Sequence, residues 1–262
     1  MMEKIETYRF DVEAFHVDFT GHLFLGVLGN HLLNAAGRHS HNRGWGIDHL
    51  NASHYTWVLS RLGIELDAMP AQYAHVEVET WVESVMKLFT ERDFLIRDAD
   101  NGRIYGYARS VWAMIDTTSR HPANLLALHD GDILRYVLSP DEKPCPIAKH
   151  SAIRVSATEP LRTLSTRYSD VDINCHINSI KYMEHIMDLF GREQYETRRL
   201  RRFDIAYKAE SHLGDVLSFY VDGDVCGPEQ QVEVRKCAGG VAAGGVAAGG
   251  GDTAVLARVL WE

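Results

Sequence analysis

The sequence predicts an α+β protein in which one unit, a long central helix wrapped by a curved antiparallel sheet, occurs twice. Three observations carry this reading. A D-x-[TN]-x-H pattern appears as Asp18-Phe-Thr20-Gly-His22 and again as Asp172-Ile-Asn174-Cys-His176, with the two histidines 154 residues apart. Each copy runs into apolar residues at helical period, and each such helix is followed by four segments rich in β-branched and aromatic residues. Between the halves, Pro122, Pro140, Pro144 and Pro146 interrupt any regular pattern.

In the first half, Thr7 to Val12 reads as a strand. The motif follows, then a helix over about Leu23 to His39, with Leu25, Leu28, Leu32 and Ala35 or Ala36 near one face and Gly37, Gly44 and Gly46 closing it. Strands are expected at Tyr55–Glu65, Ala74–Val82, Leu88–Arg97 and Arg103–Ile115. Asp98-Ala-Asp-Asn-Gly102 supplies a hairpin turn between the last two. Thr117 to about Ile153 reads as an interdomain linker with a short helix near Asp132 to Val137. The second half repeats the order: a strand ending near Tyr168, the motif, a helix from about Asn178 to Gly191, then strands at Arg202–Lys208, Val216–Asp222, Gln230–Lys236 and Ala254–Trp261. The Gly/Ala-rich stretch 239–251 has almost no side chains to bury and reads as a flexible hairpin loop. The expected domains are therefore 1–120, a linker at 121–150, and 151–262.

A net charge of −9 argues against nucleic acid as a partner. No apolar run reaches the roughly 18 residues of a membrane span, and the polar, acidic N-terminus does not read as a signal peptide. Cys145, Cys175, Cys226 and Cys237 show neither CxxC nor zinc-ribbon spacing, so a reducing cytoplasm is the expected compartment. His31, His39, His41 and His54 match no strong metal motif and read as surface or packed residues. No phosphate-binding glycine loop is present, so no nucleotide, and no metal or other cofactor, is expected.

The helix-and-sheet unit in tandem is the double hotdog architecture, and here the resemblance becomes specific. Asn174-Cys-His-Ile-Asn-Ser-Ile-Lys-Tyr182 resembles the N-x-H-[VI]-N-x-x-K-Y of the acyl-ACP thioesterases, the plant fatty-acyl thioesterases and their bacterial relatives. Tyr207-Lys-Ala-Glu210 resembles that family's Y-x-x-E; Trp57-Val-Leu-Ser-Arg61 and Thr80-Trp81 are also similar. The resemblance implies hydrolysis of an acyl-ACP thioester to free fatty acid, in fatty acid biosynthesis, with the second half catalytic and the first half holding the acyl chain.

Thioester hydrolysis needs activated water and a stabilised oxyanion. A positioned base contributes about 10²–10⁴-fold, and one oxyanion donor roughly 2.7–4 kcal/mol. The resemblance makes His176 and Glu210 the acid–base pair, Asn174 the amide that positions water or the thioester oxygen, and Asp172 an orienting group or alternative base. The residues alone leave other readings open: an Asx turn for Asn174, a turn-stabilising charge before a helix for Asp172, an exposed strand-end charge for Glu210. Asp170 reads as solvated, Asn178 as the helix N-cap, and Tyr182 as packing. Aligning Gly214-Asp-Val216 with Ala74-His-Val76 places Pro70 opposite Glu210, so the first copy lacks the carboxylate. Ser211 stands where plant members carry cysteine, which disfavours a nucleophilic thiol there; Cys175 adjoins His176 too closely for the two side chains to converge readily.

Leu28, Leu32, Trp57 and Leu59, with Leu25 and Leu62, are candidates to line an acyl tunnel, and core packing explains them equally well. Arg198, Arg199, Arg201 and Arg202 form the densest basic run; they suit either docking of the acidic acyl carrier protein or compensation of a helix dipole. Two rivals stand beside the main reading: another hotdog activity such as acyl-CoA hydrolysis, and a non-catalytic acyl-binding regulator. Since one chain already contains two copies, both a monomer and a homodimer are open.

Overall fold

The computed structural model describes residues 3–238 and 251–262. Apart from Gly251, the Gly/Ala-rich stretch 239–251 lies outside the described residues. The chain divides into two compact units, Met1–Lys149 and His150–Glu262.

In the first unit the elements run β1 (Glu6–Asp11), α1 (Leu25–His41), α2 (Ile47–Asn51), β2 (Tyr55–Leu66), β3 (His75–Val85), β4 (Phe89–Asp98) and β5 (Ile104–Asp116). The antiparallel strands lie in the order β1-β3-β4-β5-β2. The second unit carries β6 (Arg162–Ser165), α3 (Ser179–Met187), α4 (Arg192–Thr197), β7 (Leu200–Tyr207), β8 (Val216–Asp222), β9 (Glu229–Cys237) and β10 (Asp252–Trp261). Its order, β6-β8-β9-β10-β7, is the same arrangement element for element. Both units thus have the hotdog pattern that the repeat predicts.

The apolar periodicity of α1 explains its place. Leu25, Leu28, Leu32, Ala35 and Ala36 are buried, and α1 packs on β1 and β3. Burial of a leucine side chain such as Leu28 or Leu32 contributes about 1.5–3 kcal/mol. The turn at 98–102 forms as the sequence suggests: Asp98 Oδ1 accepts the backbone N–H groups of Asp100 and Asn101, and Gly102 supplies φ +75°.

Two expectations change. The second helix ends at Met187, and a separate short helix, α4, follows after Gly191. Residues 121–149, read as linker, lie within the first unit. Leu125, Ile133 and Tyr136 are buried in a cluster with Trp45, Leu50 and Met114. Burying these side chains against the sheet stabilises the segment despite its prolines and charges. Its short helical turns, within Leu128–Tyr136, are interrupted by left-handed His129, Asp130 and Gly131. Among the described residues no helix is long and apolar enough to cross a membrane.

Candidate active site

The second motif is a turn built around one carboxylate. Asp172 Oδ1 accepts the backbone N–H of Asn174 at 2.8 Å and of His176 at 3.3 Å. The Asp172 backbone N–H donates to the His176 carbonyl at 2.8 Å, and Cys175 N–H to the Asp172 carbonyl at 3.0 Å. Cys175 takes the left-handed φ of +63° that this reversal requires. The chain then docks through Ile177 N–H on the Ser211 carbonyl and Asn178 N–H on the Asp170 carbonyl, each at 2.8 Å. Asn178 caps α3, its Oδ1 accepting from Ile180 N–H at 2.8 Å.

His176 is therefore pinned through both its backbone groups, beside the segment that follows β7. Its Nε2 lies 3.5 Å from Glu210 Oε2, with the two side chains 28% and 38% exposed. That exposure leaves the pair accessible to water. The Glu210 carbonyl accepts from Lys236 Nζ on β9. His212 lies edge-on to His176, the ring centroids 5.1 Å apart. Its backbone is held on both sides, its N–H by Asp215 Oδ2 and its carbonyl by the Thr166 hydroxyl, each at 2.8 Å. Cys175 is exposed, and Tyr182 is buried. Burial pushes the Tyr182 hydroxyl up to about 12, with the Ser211 hydroxyl offsetting part of the rise.

Of the residues singled out from sequence, His176 and Glu210 come together directly, and Asp172 holds the turn that positions His176. Asn174 is exposed, and among the described residues no hydrogen bond joins its amide to either member of the pair. Asp170 is not solvated: it is buried, accepting Arg167 N–H at 2.7 Å and standing 2.9 Å from His185 Nε2. A buried carboxylate requires such partners. Pro70 is not the counterpart of Glu210. The pairing Asp11↔His75 in the first unit and Ser165↔Val216 in the second matches His75 with Val216, one residue from the sequence alignment. Met69 thus stands opposite Glu210, and Pro70, whose carbonyl accepts Leu23 N–H at 2.8 Å, stands opposite Ser211.

Leu28, Leu32 and Leu59 are core residues. Trp57 packs on the Trp45 cluster and donates Nε1–H to the Trp45 carbonyl at 2.9 Å. Of the four arginines, Arg202 is removed from the docking reading. It is buried and makes a paired contact with Asp204 at 2.7 and 3.0 Å; a bidentate pair of this kind engages the guanidinium fork. Arg199 and Arg201 approach Glu262 at 2.7 and 4.0 Å.

The sequence reading missed His212, Lys236 and the Asp170–His185 contact. His212 lies two residues after Glu210, so its proximity was a local signal. Lys236 arrives through β9 pairing, which no local pattern encodes. His185 had a signal in the repeat: it stands 154 residues after His31, the same interval as the motif histidines.

Comparison with known proteins agrees over both units. Residues 3–127 match the acyl-ACP thioesterase N-terminal domain and residues 155–261 the C-terminal domain. A solved acyl-ACP thioesterase from Bacteroides thetaiotaomicron is 52% identical, covers 99% of this chain and 98% of its own, and superposes with a TM-score of 0.88. The 12:0-ACP thioesterase from Umbellularia californica, at 22% identity and a TM-score of 0.80, covers 100% of this chain and 98% of its own and shares the fold. The chloroplastic oleoyl-acyl carrier protein thioesterase of Coriandrum sativum is 26% identical over 88% of this chain and 65% of its own length. The chain spans less than two thirds of the length of such plant relatives. With both family domains matched in order and a relative similar at this level from end to end, the chain belongs to the acyl-ACP thioesterase family.

Proposed function

We propose that this chain hydrolyses the thioester of acyl-ACP to a free fatty acid and the carrier's thiol, in fatty acid biosynthesis, with its chemistry in the second unit. The observation that carries the reading is the Glu210–His176 pair, 3.5 Å apart on a turn whose first-unit counterpart has Met69 in place of the carboxylate. In this mechanism Glu210 takes a proton from a water that His176 orients, and the same proton passes from Glu210 through His176 to the departing thiolate. Attack on the carbonyl carbon gives a tetrahedral oxyanion. The N-terminus of α3 and the Asn174 amide stabilise it, and its collapse breaks the C–S bond. Water is the only co-reactant, and no metal or other cofactor enters the steps.

The acyl chain is assigned to the apolar interior of the first unit, beside Leu28, Leu32, Trp57 and Leu59. Arg198, Arg199 and Arg201 are assigned to the acidic carrier protein. Four cysteines with no disulfide among the described residues suit a reducing cytoplasm. One chain with two copies suits a monomer, and mass measurement in solution distinguishes it from a homodimer.

The deciding experiment is thiol release from acyl-ACPs of C8 to C18, with the parent chain and His176→Ala in parallel. Turnover lost by at least about a hundredfold in the variant supports the reading. Turnover indifferent to the variant moves the site elsewhere. Turnover on acyl-CoA alone, or binding without thiol release, replaces it with one of the two rivals. Charge reversal at Arg198 and Arg201 tests the carrier contact: KM for acyl-ACP rises and KM for acyl-CoA stays. An equal change in both removes that assignment.

A further inference from the structure

The end of α1 and the start of α2 bring together three side chains that the proposed hydrolysis does not use. His41 is the last residue of α1, and Asp48 and His49 lie in α2. His41 Nδ1 is 3.1 Å from each carboxylate oxygen of Asp48, and His49 Nδ1 is 3.3 Å from Asp48 Oδ1. All three potential ligand atoms lie within 4.8 Å of one another on an exposed surface.

The connecting turn is rigidly built. Gly44 adopts φ +76°. Trp45 is buried, donates its backbone N–H to the Ser40 carbonyl at 2.9 Å, and accepts Trp57 Nε1–H at 2.9 Å. At Gly46 a Cβ would stand 2.6 Å from Asp48 Oδ1 and 2.8 Å from His41 Cα. Only glycine lets the backbone pass while His41 and Asp48 close on each other.

The geometry points to a surface site for a divalent transition-metal ion of the zinc class, held by His41, Asp48 and His49. Two imidazole nitrogens and one carboxylate suit borderline ions such as zinc or nickel better than magnesium or calcium, which take mainly oxygen ligands. Around a tetrahedral zinc with bonds of about 2.0–2.1 Å, neighbouring ligand atoms stand roughly 3.3 Å apart. Both histidine-to-Asp48 separations already have nearly that value. The two histidine ligand atoms lie within 4.8 Å of each other, a spacing that rotation of one exposed ring adjusts, and water completes the coordination. Such an ion ties the last turn of α1 to α2, and because it binds only the folded arrangement, it stabilises the first unit by mass action.

The test uses the full chain, stripped of metal with a chelator. Zinc chloride is titrated calorimetrically, with magnesium chloride as the control, and melting curves are recorded with and without zinc. One equivalent of zinc is expected to bind in a distinct tight step accompanied by a rise in Tm, with no such step for magnesium. His41→Ala, Asp48→Asn and His49→Ala should each remove the step and the rise while melting like the parent chain without zinc. Thiol release from acyl-ACP is expected to stay unchanged in all three. The chain has fourteen histidines. A tight step that survives in the His41→Ala/His49→Ala double variant therefore places the ion elsewhere and overturns the assignment, as does the absence of any tight step in the parent chain.

Discussion

The turns at Asp18–His22 and Asp172–His176 share a backbone and differ in what surrounds it. In each, the aspartate N–H donates to the histidine carbonyl, at 2.9 Å in the first and 2.8 Å in the second. In each, the residue before the histidine is left-handed, Gly21 at φ +77° and Cys175 at +63°. The side chains diverge. In the first copy the Thr20 hydroxyl lies 2.6 Å from Asp18 Oδ1 and 3.0 Å from His22 Nδ1, so the imidazole is engaged within its own turn. In the second, Asn174 replaces that hydroxyl and the His176 ring faces Glu210. A duplicated turn therefore serves the fold in both units, while the opposing carboxylate is present in one.

The sharpest way to break this comparison is to equalise the copies. Glu210→Gln is expected to lower kcat for acyl-ACP by about a hundredfold or more, within the range for a lost general base. Met69→Gln, the matching change in the first unit, should leave kcat within about twofold. Similar losses in both variants would mean that the first turn shares in the chemistry.

A smaller effect separates the backbone role from the thiol. Gly21→Ala meets no steric obstacle, so its cost is conformational, about 1–2 kcal/mol for a left-handed alanine. Cys175→Gly relieves strain of the same kind. Since glycine also enlarges the unfolded ensemble by about 0.4–1 kcal/mol, the net gain in stability is about 0–1.6 kcal/mol. Denaturant unfolding reads both changes. Undiminished thiol release in Cys175→Gly would show that the thiol is not the nucleophile; a hundredfold loss would revive it.

An effect of another kind, read as a slope against pH, concerns the contact behind each turn. His31, stacked on Phe10 with ring centroids 3.6 Å apart, is lowered to about 4 by burial and by the nearby His16. Its counterpart His185 faces the Asp170 carboxylate instead. A histidine held neutral by the fold adds stability above its unfolded value near 6.5, and that stability is lost as pH falls from there toward 4. His31→Phe keeps the stacking and removes the titration. Its unfolding free energy should therefore decline less steeply than the parent's between pH 6.5 and 4. An identical slope would show that His31 is not part of the acid response. His39, lowered to about 2 mainly by burial, contributes in the same direction in both proteins.

Much of this protein is written locally. The repeated D-x-[TN]-x-H, the apolar period after it and the alternating strands determined two helix-and-sheet units, because hydrophobic periodicity and turn chemistry act over a few residues. The motif also marked His176, and the family resemblance marked Glu210. Long-range pairing decided the rest. The fit of Asp11 to His75 made Met69, not Pro70, the counterpart of Glu210. β9 brought Lys236 to the Glu210 carbonyl. Burial made Asp170 a structural carboxylate and paired Arg202 with Asp204. It also drew residues 121–149 into the first unit, where Leu125 and Ile133 pack against Trp45. A side chain's type and its immediate neighbours are sequence properties. Which distant group meets it, and whether water is excluded from that meeting, depends on strand register and packing that only the folded chain sets.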